Sequence, residues 1–229
     1  MRLITSFIPC FLAATLALPA PAAASRDLTG AEYAAVVEHL LAARPGAARA
    51  MLDSLAGECG GEPFYLIARG RLALENVPID NVDKESTRAA TAPVLAALEQ
   101  AIAVCDERLE NGGEEESLRL HRGWAWMVRS QAHALGRNFW SAGRDAGRGK
   151  SDLEFYLERN PGDHLASGLL GAFLYFTDAV PQLVQFLSKL VFLPTGDRDL
   201  GLEMINRSVA SPSPKQEDFR LLAMNVNVF

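Results

Sequence analysis

Beyond residue 25 the apolar residues recur at intervals of three and four, segment after segment, and the alternation expected of a half-buried strand is almost absent. That periodicity predicts an all-α fold. Thr29 is expected to cap a helical run carrying Tyr33, Val36, Val37, Leu40 and Leu41 that stops at Pro45. A second run, with Ala47, Met51, Leu52 and Leu55, ends at Gly57, Gly60 and Gly61, so the two are expected to form a helical hairpin. Pro63 opens the next helix, with Tyr65, Leu66, Ala68, Leu72 and Leu74, which runs out in the polar stretch from Val77 to Ser86. A long helix is predicted from about Thr87 to Leu109, with Pro93 kinking it or marking its first turn. Asn111 to Glu116 forms a break.

Helices lengthen from Ser117. One carries Leu118, Leu120, Trp124, Met127, Val128 and Leu135, and the next, after a turn at Gly136 to Asn138, carries Trp140, Ala142, Ala146, Leu153, Tyr156 and Leu157. Asn160 and Pro161 end it. Runs from His164 to Asp178, Pro181 to Leu193, Asp197 to Val209 and beyond Pro214 complete a set of about ten helices. The break at 111–116 divides one helical domain, residues 25–229, into an N-terminal part (25–112) and a more repetitive part (113–229).

The first 24 residues stand apart. Arg2, an apolar stretch from Leu3 to Leu18, and small residues ending in Ala22 and Ala24 have the layout of a secretory signal peptide, with the mature chain starting at Ser25. Pro9 directly before Cys10 disfavours a lipid anchor, which wants a small residue there. The expected compartment is therefore the periplasm. With 22 basic against 28 acidic residues the net charge is −6, which offers no global field for nucleic acid or an anionic membrane. In an oxidising compartment Cys59 and Cys105 are expected to pair in the one connectivity available to them; the competing reading is two small buried thiols.

Pro161 and the residues after it fit the register of a tetratricopeptide unit, in which Pro closes one repeat and Leu followed by a small residue recurs in the first helix of the next. Leu170 and Gly171 fall on that pair, the small residue allowing the partner helix to approach closely. Ser167 stands where an aromatic is usual, and Pro194 comes one place early. The run from 139 to 209, with Gly171, Tyr175, Pro181, Gly196, Asp197, Arg198 and Gly201, resembles a bacterial exported tetratricopeptide-repeat group. More distantly it is similar to the helical-repeat family of the mitochondrial outer-membrane protein needed for inclusion-body clearance. The resemblance implies stacked helical hairpins, an α-solenoid, and a scaffold without defined chemistry. Within it, Asp197 is expected to cap the last helix of the run, and Arg198 to pair with Asp178 or Glu158 or else to bind an anionic ligand.

Catalytic constellations are missing from the sequence. Gly143 to Ser151, GRDAGRGKS, is one residue too long for a phosphate-binding loop and lies in a helical pattern, where Gly143 and Gly147 would permit close packing. His39, His121, His133 and His164 have no ligand spacing, and neither a CxxC pair nor a GxSxG elbow occurs. No enzyme, cofactor or metal is expected. Glu114 to Glu116 is read as a solvated helix start. Asp178, Pro181 and Lys189 break the apolar stretch from Leu165 to Leu193 below the length of a membrane span, although Val180 to Leu193 has an apolar face that could lie on a bilayer. Two functional expectations remain. One is an exported scaffold for a protein or peptide partner. The other is a solute-binding accessory of envelope transport, with Trp124, Trp126, Trp140, Arg119, Arg122 and Arg129 lining a groove; core packing is the alternative reading of those Trp residues.

Overall fold

A computed structural model describes residues 26–78, 83–178 and 196–210. These residues are all-helical and contain eight helices: α1 (Gly30–Leu41), α2 (Pro45–Cys59), α3 (Pro63–Leu74), α4 (Lys84–Glu110), α5 (Glu115–Leu135), α6 (Phe139–Arg159), α7 (His164–Asp178) and α8 (Arg198–Ala210). The other two of the ten expected segments, Pro181 to Leu193 and the run after Pro214, lie outside the described residues.

Local chemistry sets the ends. Thr29 and Glu32 form a capping box at the start of α1, each side chain reaching the other's backbone amide. Arg26 reinforces it with a 2.7 Å ion pair to Glu32 and a 2.9 Å pair to Glu58, tying the leading segment to α2. Pro45 and Pro63 occupy first-turn positions, where a missing amide costs nothing. Asp83 caps α4 through the amides of Glu85 and Ser86, so that helix begins three residues before the expected Thr87 and runs through Pro93 to Glu110. Three connections turn in one way: Ala43 (φ 52°), Gly112 (φ 77°) and Arg137 (φ 55°) take the left-handed conformation. The amide of the residue after each donates to a carbonyl five residues back: Arg44 to His39, Gly113 to Arg108 and Asn138 to His133, at 2.8 Å in all three.

Among the described helices each packs on the next, and α5 lies also against α3 and α7. One continuous core runs from Leu28 to Phe173 across both parts of the chain, with Tyr33, Tyr65, Leu98, Trp124 and Leu153 among its most buried side chains. Among the described helices α4 alone is long and apolar enough to cross a membrane by length and composition. Its Val94, Leu98, Ala101 and Ile102 are buried in that core.

Small residues decide the closest crossings. A Cβ on Gly149 of α6 would come 3.0 Å from the Gly123 carbonyl oxygen, and one on Gly123 would come 3.0 Å from Leu153 Cγ. This pair, not Gly143 and Gly147, brings α5 and α6 together, because it lies on the buried face while Gly143 and Gly147 stay partly exposed. At the α7 and α8 crossing a Cβ on Gly171 would lie 2.7 Å from Met204 Cβ, and one on Gly201 would lie 2.6 Å from the Gly171 oxygen.

The expected disulfide is corrected. Cys59 and Cys105 are both free and buried. Cys59 closes α2 and Cys105 lies in α4, and α3 packs against each of these helices. Burial pushes the Cys105 thiol up to about 12 and raises that of Cys59 as well, so both behave as small apolar core residues.

Candidate functional site

Helix α6 presents two chemically opposite faces. Inward, Ala142, Asp145, Gly149, Asp152 and Leu153 are buried against α5. Two carboxylates hold this seam. Asp145, fully buried, receives the Arg129 guanidinium at 2.7 and 3.2 Å, with His133 Nε2 at 3.5 Å and Arg144 Nε at 3.6 Å. Asp152, 4% exposed, receives Arg119 at 2.8 Å and Arg122 at 2.7 and 2.8 Å. Arg119 and Arg122 each keep a second carboxylate nearer solvent, Glu115 at 3.2 Å and Asp106 at 2.5 Å. Burial lowers the pKa of His133, outweighing the attraction of Asp145, so the imidazole beside this carboxylate is held neutral more strongly than in water.

The outer face begins at the turn where Arg137 sits at positive φ and Asn138 caps the helix. Phe139 and Trp140 follow, 55% and 60% exposed, the two most exposed large apolar side chains among the described residues. At 100° per residue Trp140 lies about 180° from Gly149, in the middle of the solvent side. Arg144, Gly147 and Ser151 continue its line, with Arg148 alongside. Arg148 and Arg129 stack on the Trp126 ring from α5, 4.8 and 4.3 Å from its centre.

The expected groove of tryptophans and arginines does not assemble. Trp124 and Trp126 are two residues apart on one helix, about 200° around its axis, and therefore face different neighbours. Trp124 is fully buried, edge-on to Tyr33 at 5.4 Å and tilted against Phe64 at 5.5 Å. Trp126 is covered by its two arginines, and Trp140 faces solvent. Arg119, Arg122 and Arg129 are committed to Asp152 and Asp145. What sequence reasoning missed was the partner set: Asp145 and Asp152 sit at i, i+7 on α6, facing the arginines of α5, a signal legible only once the two helices are known to pair.

The repeat-motif residues fare differently. Gly171 and Gly201 make the close crossing described above, Tyr175 is buried beside Ile205, and Gly196 abuts Asp178 and Leu174 at the end of α7. Asp197 accepts the Leu200 amide at 3.0 Å, the expected cap. Arg198 lies over the Tyr175 ring, 5.2 Å from its centre, and donates to its hydroxyl at 3.3 Å, so an aromatic ring supplies the described contact where Asp178 or Glu158 was expected. Leu170 is partly buried against the core, Pro161 is exposed in the turn after α6, and Pro181 lies outside the described residues. Asp163, two residues after Pro161, caps α7 by accepting the Ala166 amide at 2.9 Å.

A cleft of about 340 Å³ is lined by residues including Asp27, Arg108, Asn111, Ser117 and His121. Asp27 accepts the amides of Leu28 at 2.8 Å and Phe64 at 3.4 Å, and burial raises its carboxyl above the usual range. Arg108 is tied to Glu62 through two bonds of 2.6 and 2.9 Å. The His121 ring stacks on Phe64 at 5.6 Å. The helix start at Glu115 is solvated as expected, with Glu116 accepting from Asn160 at 2.9 Å. Among the described residues no three His, Cys, Asp or Glu side chains are grouped to hold a metal ion. Gly143 to Ser151 lies inside α6, where Lys150 pairs with Glu154. Compared with protein-family models, curated proteins and solved structures, the chain matches none.

Proposed function

We propose that the chain is an exported, periplasmic helical scaffold of stacked tetratricopeptide-like hairpins that binds a protein or peptide partner without catalysis. The observation that carries this reading is the exposed Phe139 and Trp140 pair at the start of α6. A Trp in the middle of a helix's solvent side is left largely uncovered by the described residues, and aromatic residues of this kind are the usual anchors of protein interfaces. Helix packing in chain order, with α5 touching both α3 and α7, supports the stacked-hairpin reading. So does the close crossing of α7 and α8 at Gly171 and Gly201, two residues on which the resemblance to the exported repeat group and, more distantly, to the inclusion-body-clearance family was based.

A photo-crosslinking residue at Ser151, on the same face but outside the aromatic pair, tests the proposal in cells that export the full chain. A protein adduct is expected that weakens on Trp140→Ala and is absent from a control position at Glu99 on α4. Lack of any adduct at Ser151 would count against the scaffold. The alternative reading, an accessory solute-binding component, is supported by the cleft at Asp27, and a saturable calorimetric signal with a small cationic solute, lost in Asp27→Asn, would favour it instead.

A further inference from the structure

The chain as a whole is acidic, yet residues 137–151 carry Arg137, Arg144, Arg148 and Lys150 against a single carboxylate, Asp145. That carboxylate is fully buried and engaged by Arg129, and Lys150 is paired with Glu154 at 2.5 Å. Arg137, Arg144 and Arg148 are exposed, Arg137 in the turn before α6, Arg144 one turn beyond Trp140, and Arg148 a further turn on, where it also stacks on Trp126. Among the described residues no carboxylate lies within ion-pair distance of Arg137 or Arg148, and Arg144, at 3.6 Å from Asp145, keeps half of its side chain in solvent. Arg137 holds a left-handed backbone conformation that glycine would adopt at lower cost.

We infer that the outer face of α6 is a docking strip for an acidic peptide segment of a partner protein, with Trp140 as its apolar anchor and Arg137, Arg144 and Arg148 as carboxylate receptors. The inference rests on the scaffold reading and names the chemistry of its partner. Charge decides the occupant. An acidic segment is repelled by the rest of an acidic surface and attracted here, which fixes where it lands. Each guanidinium fork donates two hydrogen bonds at a time to a carboxylate, a geometry matched by Asp and Glu side chains. The strip from Trp140 to Ser151 runs for about 16 Å along the helix axis. That length suits a peptide lying along it. A bilayer would instead need a wide apolar face to bury, and this one offers two aromatic rings among charges.

The test uses the full exported chain and a short fluorescein-labelled peptide rich in Glu and Leu, alongside its twin with Gln at every Glu. Anisotropy should show the acidic peptide binding, with affinity falling as salt rises, and the Gln twin binding at least about tenfold more weakly. Arg137→Gln combined with Arg144→Gln should weaken the acidic peptide by about tenfold or more, as should Trp140→Ala, while Glu99→Gln leaves it unchanged. Circular dichroism melts of each variant separate lost binding from lost fold. Equal binding of the two peptides, indifference to the paired Arg replacement in a folded variant, or failure of the acidic peptide to bind would each overturn the inference. Binding to phosphatidylglycerol vesicles without peptide binding would overturn it in favour of a lipid surface. If Ser151 still crosslinks to a protein while the Arg replacements have no effect, the scaffold stands and the acidic partner falls; if Ser151 gives no adduct, the scaffold itself fails.

Discussion

Replacing Asp145 and Asp152 one at a time by Asn sets two measures of a buried ion pair against each other. Counted by bonds, Asp152 matters more: it receives three guanidinium hydrogen bonds of 2.7 to 2.8 Å, whereas Asp145 receives two from Arg129, one of them at 3.2 Å. Counted by charges left without a partner, the order reverses. After Asp152→Asn, Arg119 keeps Glu115 and Arg122 keeps Asp106. After Asp145→Asn, Arg129, with 13% of its side chain exposed, retains the Trp126 ring and no carboxylate among the described residues. Orphaning a buried charge costs about 3 to 5 kcal/mol, while losing a charged hydrogen bond whose donor finds another acceptor costs about 1.5 to 3 kcal/mol. Asp145→Asn is therefore expected to destabilise by about 3 to 4 kcal/mol and Asp152→Asn by about 2 kcal/mol, because Asn retains one acceptor at each site. At this chain length that corresponds to a melting temperature lower by about 6 to 16 °C for the first and about 4 to 8 °C for the second. Urea unfolding followed by circular dichroism gives both values, with an unchanged denaturant slope required for the comparison. A larger loss for Asp152→Asn than for Asp145→Asn would refute the orphan-charge reasoning and favour the simple bond count. A loss below about 1 kcal/mol in both would mean that water reaches the seam.

Gly171→Ala should destabilise by about 1 to 3 kcal/mol, since its Cβ would meet Met204 and the Gly201 backbone; hydrogen exchange should localise the effect to α7 and α8. Ala43→Gly should stabilise by about 0.5 to 1 kcal/mol by relieving the left-handed turn between α1 and α2, a gain that urea unfolding can resolve. The folded pKa of His133 is lowered, so the unfolded chain binds the proton more readily and stability should fall as pH drops below the ordinary value of about 6.5; His133→Asn should flatten that part of the pH profile. Cys59 and Cys105 should both react with a thiol reagent in denaturant and resist it in the native protein, and a native sample with no titratable thiol after unfolding would contradict the free pair.

Helix content and most helix ends were legible in the residues, because amphipathic spacing, Pro at first turns and polar caps are local and act without the rest of the chain. Thr29, Pro63 and Asp197 each do in the structure what their positions predict. Gly171 makes a close crossing with α8, while the helix expected from Pro181 to Leu193 lies outside the described residues. The long α4 was read only in part, since Asp83 lies beyond the apolar run that marked its start, and the helix continues through Pro93, which is exposed.

Pairing was not legible. Trp124, Trp126 and Trp140 look alike in a sequence, yet packing sends one to the core, covers one with two guanidiniums and leaves one in water. Arg119, Arg122 and Arg129 looked like ligand-binding groups until α6 supplied Asp145 and Asp152. Cys59 and Cys105 were expected to bridge, and the structure buries them as separate thiols instead. The physical reason is the same in each case: a helix's own turns follow from neighbours three and four residues away, whereas the fate of a charge, a ring or a thiol depends on which other helix comes to lie against it, and that is settled by the packing of the whole core.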